Sequence, residues 1–73
     1  MVELGARGES KILSDREIQV LRLIDKGLIS KQIADTLSIS IHTVSRHRQE
    51  ILAKLQVRNS IEACRVAKDL GLL

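Results

Sequence analysis

At 73 residues and 8.1 kDa the chain holds one domain at most, and a domain of that size buries only about 60% of the surface its unfolded chain exposes, so its margin of stability is thin. Twelve Lys and Arg against nine Asp and Glu leave a net charge of +3 and a pI near 9.5, a modest basic excess that suits a polyanionic partner without demanding one. Phe, Tyr, Trp and Pro are all absent and there is one cysteine, Cys64, which excludes an aromatic core, stacking platforms for single-stranded nucleic acid and an internal disulfide.

The chain opens on MVELGARGESK, with two glycines, mixed charge and little apolar periodicity. Residues 1 to 12 read as a flexible tail or linker, and residues 13 to 73 as an all-α domain. The expectation is a module of a longer protein. With no signal peptide and no long apolar run, a cytoplasmic location away from membranes is expected.

Helix one is expected over about residues 15 to 26. Ser14 is a good N-cap, and Glu17 three residues later completes a capping box. Leu13 and Ile18 flank it at the positions of a hydrophobic staple. Ile18, Val20, Leu21, Leu23 and Ile24 form a wide apolar stripe, and Gly27 supplies the stop.

Helix two is short, about residues 31 to 37, with Ser30 as its expected cap and Ile33, Ala34 and Leu37 facing inward. Ala34 is small enough for a second helix to cross closely. The stretch SIS at residues 38 to 40 is a turn in which Ile39 plugs the core. Ser40 then caps helix three, which runs from about Ile41 to Leu55. At 100° per residue its inner face collects Val44, Ile51 and Leu55, with Leu52 beside them. The opposite stripe collects His42, Arg46, Gln49 and Ala53, with Ser45 on its edge. Arg48 falls towards the inner face, so its stem should follow the core edge while its guanidinium snorkels out.

A fourth helix begins after Asn59, with Glu62 three residues later in another capping-box pattern. Ala63, Val66, Ala67 and Leu70 form its expected core stripe; Ile61 and Cys64 point elsewhere, flanked by Arg65 and Lys68, and Gly71 ends it.

A short helix, a tight turn and a longer helix with an exposed polar face make a helix-turn-helix. The first helix braces across the DNA backbone; the second lies in the major groove of double-stranded DNA. His42, Ser45, Arg46 and Gln49 project outward near the start of the second helix, where they can face bases. Arg pairs bidentately with guanine, and Gln with adenine. The Ser40 and Thr43 hydroxyls and the free N–H groups of the helix start suit phosphate oxygens. Lys31, Arg48, Lys54 and Arg58 extend the expected backbone-contacting set. His42 and His47 have no cysteine or carboxylate at metal-ligand spacing, so neither a metal nor a cofactor is expected. No nucleophile, base and orienter set can be assembled, and there is no glycine-rich phosphate loop, so no enzymatic activity is expected.

LSDREIQVLRLIDKG, KQIADTLSIS, HTVSRHRQEILAKLQVRN and IEA together resemble the LuxR-type helix-turn-helix domain of quorum-sensing regulators and NarL-type response regulators. The likeness covers roughly Leu13 to Leu73. Its strongest marks are SDRE at the start of helix one, IA at 33 and 34, TV at 43 and 44, His47, and KLQV at 54 to 57. The resemblance implies four helices, with helix three reading DNA as part of a homodimer; RNA polymerase is a candidate further partner, the kind of protein the helix-turn-helix would contact if used as an interaction module. It puts Ser45, Arg46 and Gln49 at base-facing positions, and Thr43 and His47 where residues touch the backbone or support the helix. It places Ile61, Cys64, Arg65 and Lys68 of helix four near a dimer axis, where Glu62 or Asp69 would have to offset the cations.

Two positions depart from the family pattern. Ser45 stands where the family often has Lys, which removes a cation from the groove face. Ile29 stands where the family tends to have a capping Ser. With the cap moved to Ser30, the box with Gln32 is lost, and helix two should fray at its start. The other readings of the chain are a helix-turn-helix used as a protein-interaction module and a domain like sigma-factor region four. The TVSRH and KLQV patterns and the fourth helix tell against the latter.

Overall fold

The computed structural model describes residues 12–73. Four helices follow one another: α1 Asp15–Asp25, α2 Ser30–Leu37, α3 Ile41–Leu55 and α4 Ser60–Asp69. The expected tail, apart from Ile12, lies outside the described residues. Helix starts follow the local punctuation. Ser14 Oγ accepts the Glu17 N–H (3.1 Å) and Glu17 Oε1 accepts the Ser14 N–H (2.9 Å), a complete capping box. Ser40 Oγ accepts the Thr43 N–H at 3.0 Å. Asn59 Oδ1 accepts the Glu62 N–H at 2.9 Å, but Glu62 reaches back one residue further than the box pattern requires, to the Arg58 N–H at 3.1 Å.

The start of α2 differs from expectation. Its cap is Ile29, not Ser30, and Ile29 has no side chain that can accept a hydrogen bond. Half of the box survives nonetheless, because Gln32 Oε1 accepts the Ile29 N–H at 3.0 Å. Ser30 is thereby free to use its hydroxyl elsewhere, and it does so as an acceptor for Arg48.

All four helices stop the same way. After α1 the Gly27 and Leu28 N–H groups return to the Ile24 and Leu23 carbonyls, and after α4 Gly71 and Leu72 return to Lys68 and Ala67. Ser38 and Ile39 close α2 on Asp35 and Ala34; Gln56 and Val57 close α3 on Ala53 and Leu52. This is the Schellman pattern, and it needs one left-handed residue. Gly27 and Gly71 supply it at no steric cost, whereas Ser38 (φ 58°) and Gln56 (φ 56°) carry a Cβ in that conformation.

The core is aliphatic, as the composition requires. Leu13, Val20, Leu21, Ile33, Val44 and Ile51 are its largest fully buried side chains, each worth roughly 1.5–3 kcal/mol for burial. Leu13 and Ile18, the staple pair, both join this cluster, and so do Leu37, Ile39, Leu52 and Leu55 at its edge. α1 and α3 each pack on the other three helices' core faces except that α2 and α4 do not pack on each other. The expected stripe of α4 is rotated. Ala63, Cys64 and Ala67 are buried, whereas Leu70 is exposed and Val66 is half-buried. The small side chains at 63, 64 and 67 let α4 sit close against the larger residues of α1 and α3, and Leu72 and Leu73 pack on the core past the Gly71 turn. Cys64 Sγ lies 3.9 Å from the Leu21 carbonyl oxygen; burial first, then the nearby Asp25, pushes its thiol pKa up.

Candidate nucleic-acid interface

Val44 and Ile51 have no exposed surface, so they lock the rotation of α3 about its axis. With that side fixed inward, His42, Ser45, Arg46, Gln49 and Ala53 all emerge exposed on the opposite side, as the 3.6-residue period requires. The first turn of α3 carries no acidic residue. Its cap presents two hydroxyls, Ser40 Oγ and Thr43 Oγ1, hydrogen-bonded to each other at 2.8 Å. Lys31 at the start of α2 and Arg58 beyond the end of α3 are exposed. An open groove beside the stripe is lined by Ser45, Gln49 and Arg58 together with Arg48 and Ser60.

Two cations expected at the DNA backbone are held by partners within the domain, although Lys54 itself stays 45% exposed. Lys54 Nζ donates to both carboxylate oxygens of Glu17, at 2.9 and 3.1 Å. Glu17 is only 2% exposed, and a buried carboxylate needs a counter-charge. Burial pushes the Glu17 pKa up, but the Lys54 hydrogen bond, the Ser14 N–H and the Lys54 charge outweigh it and hold the carboxyl below its ordinary value. Arg48 does not send its guanidinium into solvent as expected: Nη1 donates to Ser30 Oγ at 2.8 Å and Nη2 to Ser60 Oγ at 3.0 Å.

His47 is half-buried beneath the stripe. Its Nδ1 lies 3.8 Å from Glu50 Oε1, fully enclosed and without a hydrogen-bond partner among the described residues. Glu17, His47 and Glu50 bring one potential ligand atom each within 4.8 Å of one another. The expectation that His47 has no carboxylate at metal-ligand spacing is not met: Glu50 stands one turn away on the same helix, and the packing of α1 on α3 brings Glu17 near. Lys54 already supplies positive charge to Glu17 there.

The four residues assigned to a dimer contact part company. Ile61 is 83% exposed and Arg65 is exposed, beside a groove between α1 and α4 lined also by Ile24 and Asp25. Cys64, expected on that surface, is turned into the core at 8% exposure. Lys68 pairs with Asp25 at 3.0 Å, so the offsetting acid comes from α1 rather than from Glu62 or Asp69.

A short helix crossing a longer one, with the longer helix anchored on one side and polar, exposed and acid-free at its start on the other, defines a DNA-binding helix-turn-helix. Residues 11–67 match the family described as bacterial regulatory proteins, luxR family. Over 63 residues the chain is 44% identical to the transcriptional regulatory protein DesR of Bacillus subtilis (strain 168) and 41% identical to the oxygen regulatory protein NreC of Staphylococcus aureus (strain JH9). Each alignment takes in 86% of this chain but only 32% and 29% of the relative, so the chain spans about a third of the length of these curated relatives. The chain belongs to the luxR family of bacterial regulatory proteins. It is a DNA-binding effector domain of a transcription regulator. Among the described residues no helix is long and apolar enough to cross a membrane.

Proposed function

We propose that α3 lies in the major groove of double-stranded DNA and reads sequence through His42, Ser45, Arg46 and Gln49. The observation that carries this reading is the exposure of all four side chains on one side of a helix whose other side is locked by Val44 and Ile51. Lys31, Ser40, Thr43, His47 and Arg58 would meet the sugar-phosphate backbone and set the register. The regulator works in the cytoplasm, where its DNA is.

A second copy would complete the site on DNA, through Ile61, Arg65 and Lys68 of α4. Ile61 is the large exposed apolar side chain of this patch, flanked by the charged Arg65 and Lys68, whereas a stable interface buries roughly 1,200 Å². The 73-residue chain should therefore be monomeric at micromolar concentration and pair on DNA, with further association energy coming from the rest of a longer protein.

The test is a titration of duplexes selected from a randomised pool, at several salt concentrations. Each neutralised phosphate should contribute about −0.9 to the slope of log K against log salt. A sequence-selective, steeply salt-dependent affinity is the expected result. Binding that ignores salt, or no binding at low salt, would return the chain to the interaction-module reading.

A further inference from the structure

Among the described residues, the Arg48 side chain donates hydrogen bonds to both α2 and α4. Those two helices do not pack on each other, yet the guanidinium takes Ser30 Oγ at the first residue of α2 and Ser60 Oγ at the first residue of α4. Both bonds are partly buried and span 18 and 12 residues of sequence. A guanidinium is a rigid planar fork, so holding two acceptors also fixes the angle between them. The neighbours of this joint are the residues that matter for DNA. Lys31 follows Ser30, Arg58 lies two residues before Ser60, and Ser45 and Gln49 share the adjoining groove with Arg48.

We propose that Arg48 is a positioning residue for DNA reading. It ties the first turns of α2 and α4 to the middle of α3, and so sets the base-facing stripe relative to the phosphate contacts at Lys31 and Arg58. This rests on the DNA reading above. Its alternative is that Arg48 itself touches phosphate, and the two differ in what they predict. A positioning residue governs the ratio of specific to non-specific affinity and leaves the salt slope alone. A phosphate contact sets the slope and leaves the ratio alone.

Three variants of the 73-residue chain separate them: Arg48→Met, which keeps the stem and loses the donors; Arg48→Lys, which keeps the charge but not the fork; and the double variant Ser30→Ala with Ser60→Ala, which keeps Arg48 and removes its acceptors. Each is titrated with the selected duplex and a scrambled one across salt, with thermal melting as a fold control. The expected result is that the double variant and Arg48→Lys both lower the specific to non-specific ratio by about tenfold, the size of one lost base contact, with the wild-type salt slope. If Arg48→Met melts too low to measure, the double variant carries the test. Two results overturn the proposal: a wild-type ratio in the double variant, or a slope reduced by about 0.9 in Arg48→Met with the ratio intact. Failure of the wild-type chain to distinguish the two duplexes would instead overturn the DNA reading on which the proposal stands.

Discussion

The two sides of α3 carry similar chemistry and put it to opposite uses. Arg46 and Gln49 stand exposed on the outer side, whereas Arg48 and Lys54, on the same helix, are spent on Ser30, Ser60 and Glu17. Arg46 and Arg48 are two positions apart, about 200° of rotation, and that turn decides whether a guanidinium is available to DNA or braces the domain. Cations on a recognition helix are therefore not a count of DNA contacts. The outer side should tolerate substitution and lose recognition; the inner side should lose stability.

The strongest way to break the inner side is Val44→Asp. Val44 has no exposed surface, and an unpaired carboxylate buried there costs an amount comparable to the whole stability of a small domain. Circular dichroism should show loss of helix and binding together. Lys54→Met is next. It strands the Glu17 carboxylate, which should cost roughly 2–3 kcal/mol of unfolding free energy, read by urea denaturation. The salt slope of DNA binding should not change.

The same pair gives a pH signature. The folded-state pKa of Glu17 lies below its ordinary value, so its contribution is fully present above the unfolded carboxylate pKa. It is lost as pH falls through the depressed folded value. Stability measured from pH 6 down to pH 3, a range that brackets the ordinary Glu pKa of roughly 4.3, should fall more steeply in the wild type than in Lys54→Met. Equal slopes would mean that the pair contributes nothing.

On the outer side, Arg46→Ala and Gln49→Ala should each remove about 1–3 kcal/mol of discrimination at one base pair while melting like the wild type. Arg58→Ala should weaken binding evenly across sequences and flatten the salt slope by about 0.9. A selection over randomised duplexes reads both. The smallest effect belongs to the end of the helix, which both sides share. Gln56 sits at φ 56°, and Gln56→Gly should raise stability by about 0.5–1 kcal/mol by removing a left-handed Cβ, with DNA binding unchanged.

Much of this was legible from local chemistry. Ser14 with Glu17, Ser40 with Thr43, and Asn59 before Glu62 mark three helix starts within one residue, and Val44 with Ile51 fixes which side of α3 faces out. The stops at Leu37 and Leu55 are legible too, but not the left-handed conformation that makes them, because Ser38 and Gln56 do not announce it as Gly27 and Gly71 do. The inward stripe of α4 is legible at Ala63 and Ala67 but not at its edge, where Cys64 is buried and Leu70 is exposed. The choice of Cys64 over Leu70 depends on which small side chains let α1 and α3 approach.

The sequence by itself determined four helices, their order and the exposed polar stripe. Caps, stops and apolar periods are interactions between residues at most four or five positions apart, and such pairs meet as soon as a helix forms. Only the tertiary structure decided what the remaining charges do. Lys54 meets Glu17 across 37 residues, and Arg48 meets Ser30 and Ser60 across 18 and 12. No local period encodes those meetings. They exist because burying the aliphatic core brings α1, α2 and α4 around α3, and each polar group caught at that junction must then find a partner or carry the cost of lost hydration.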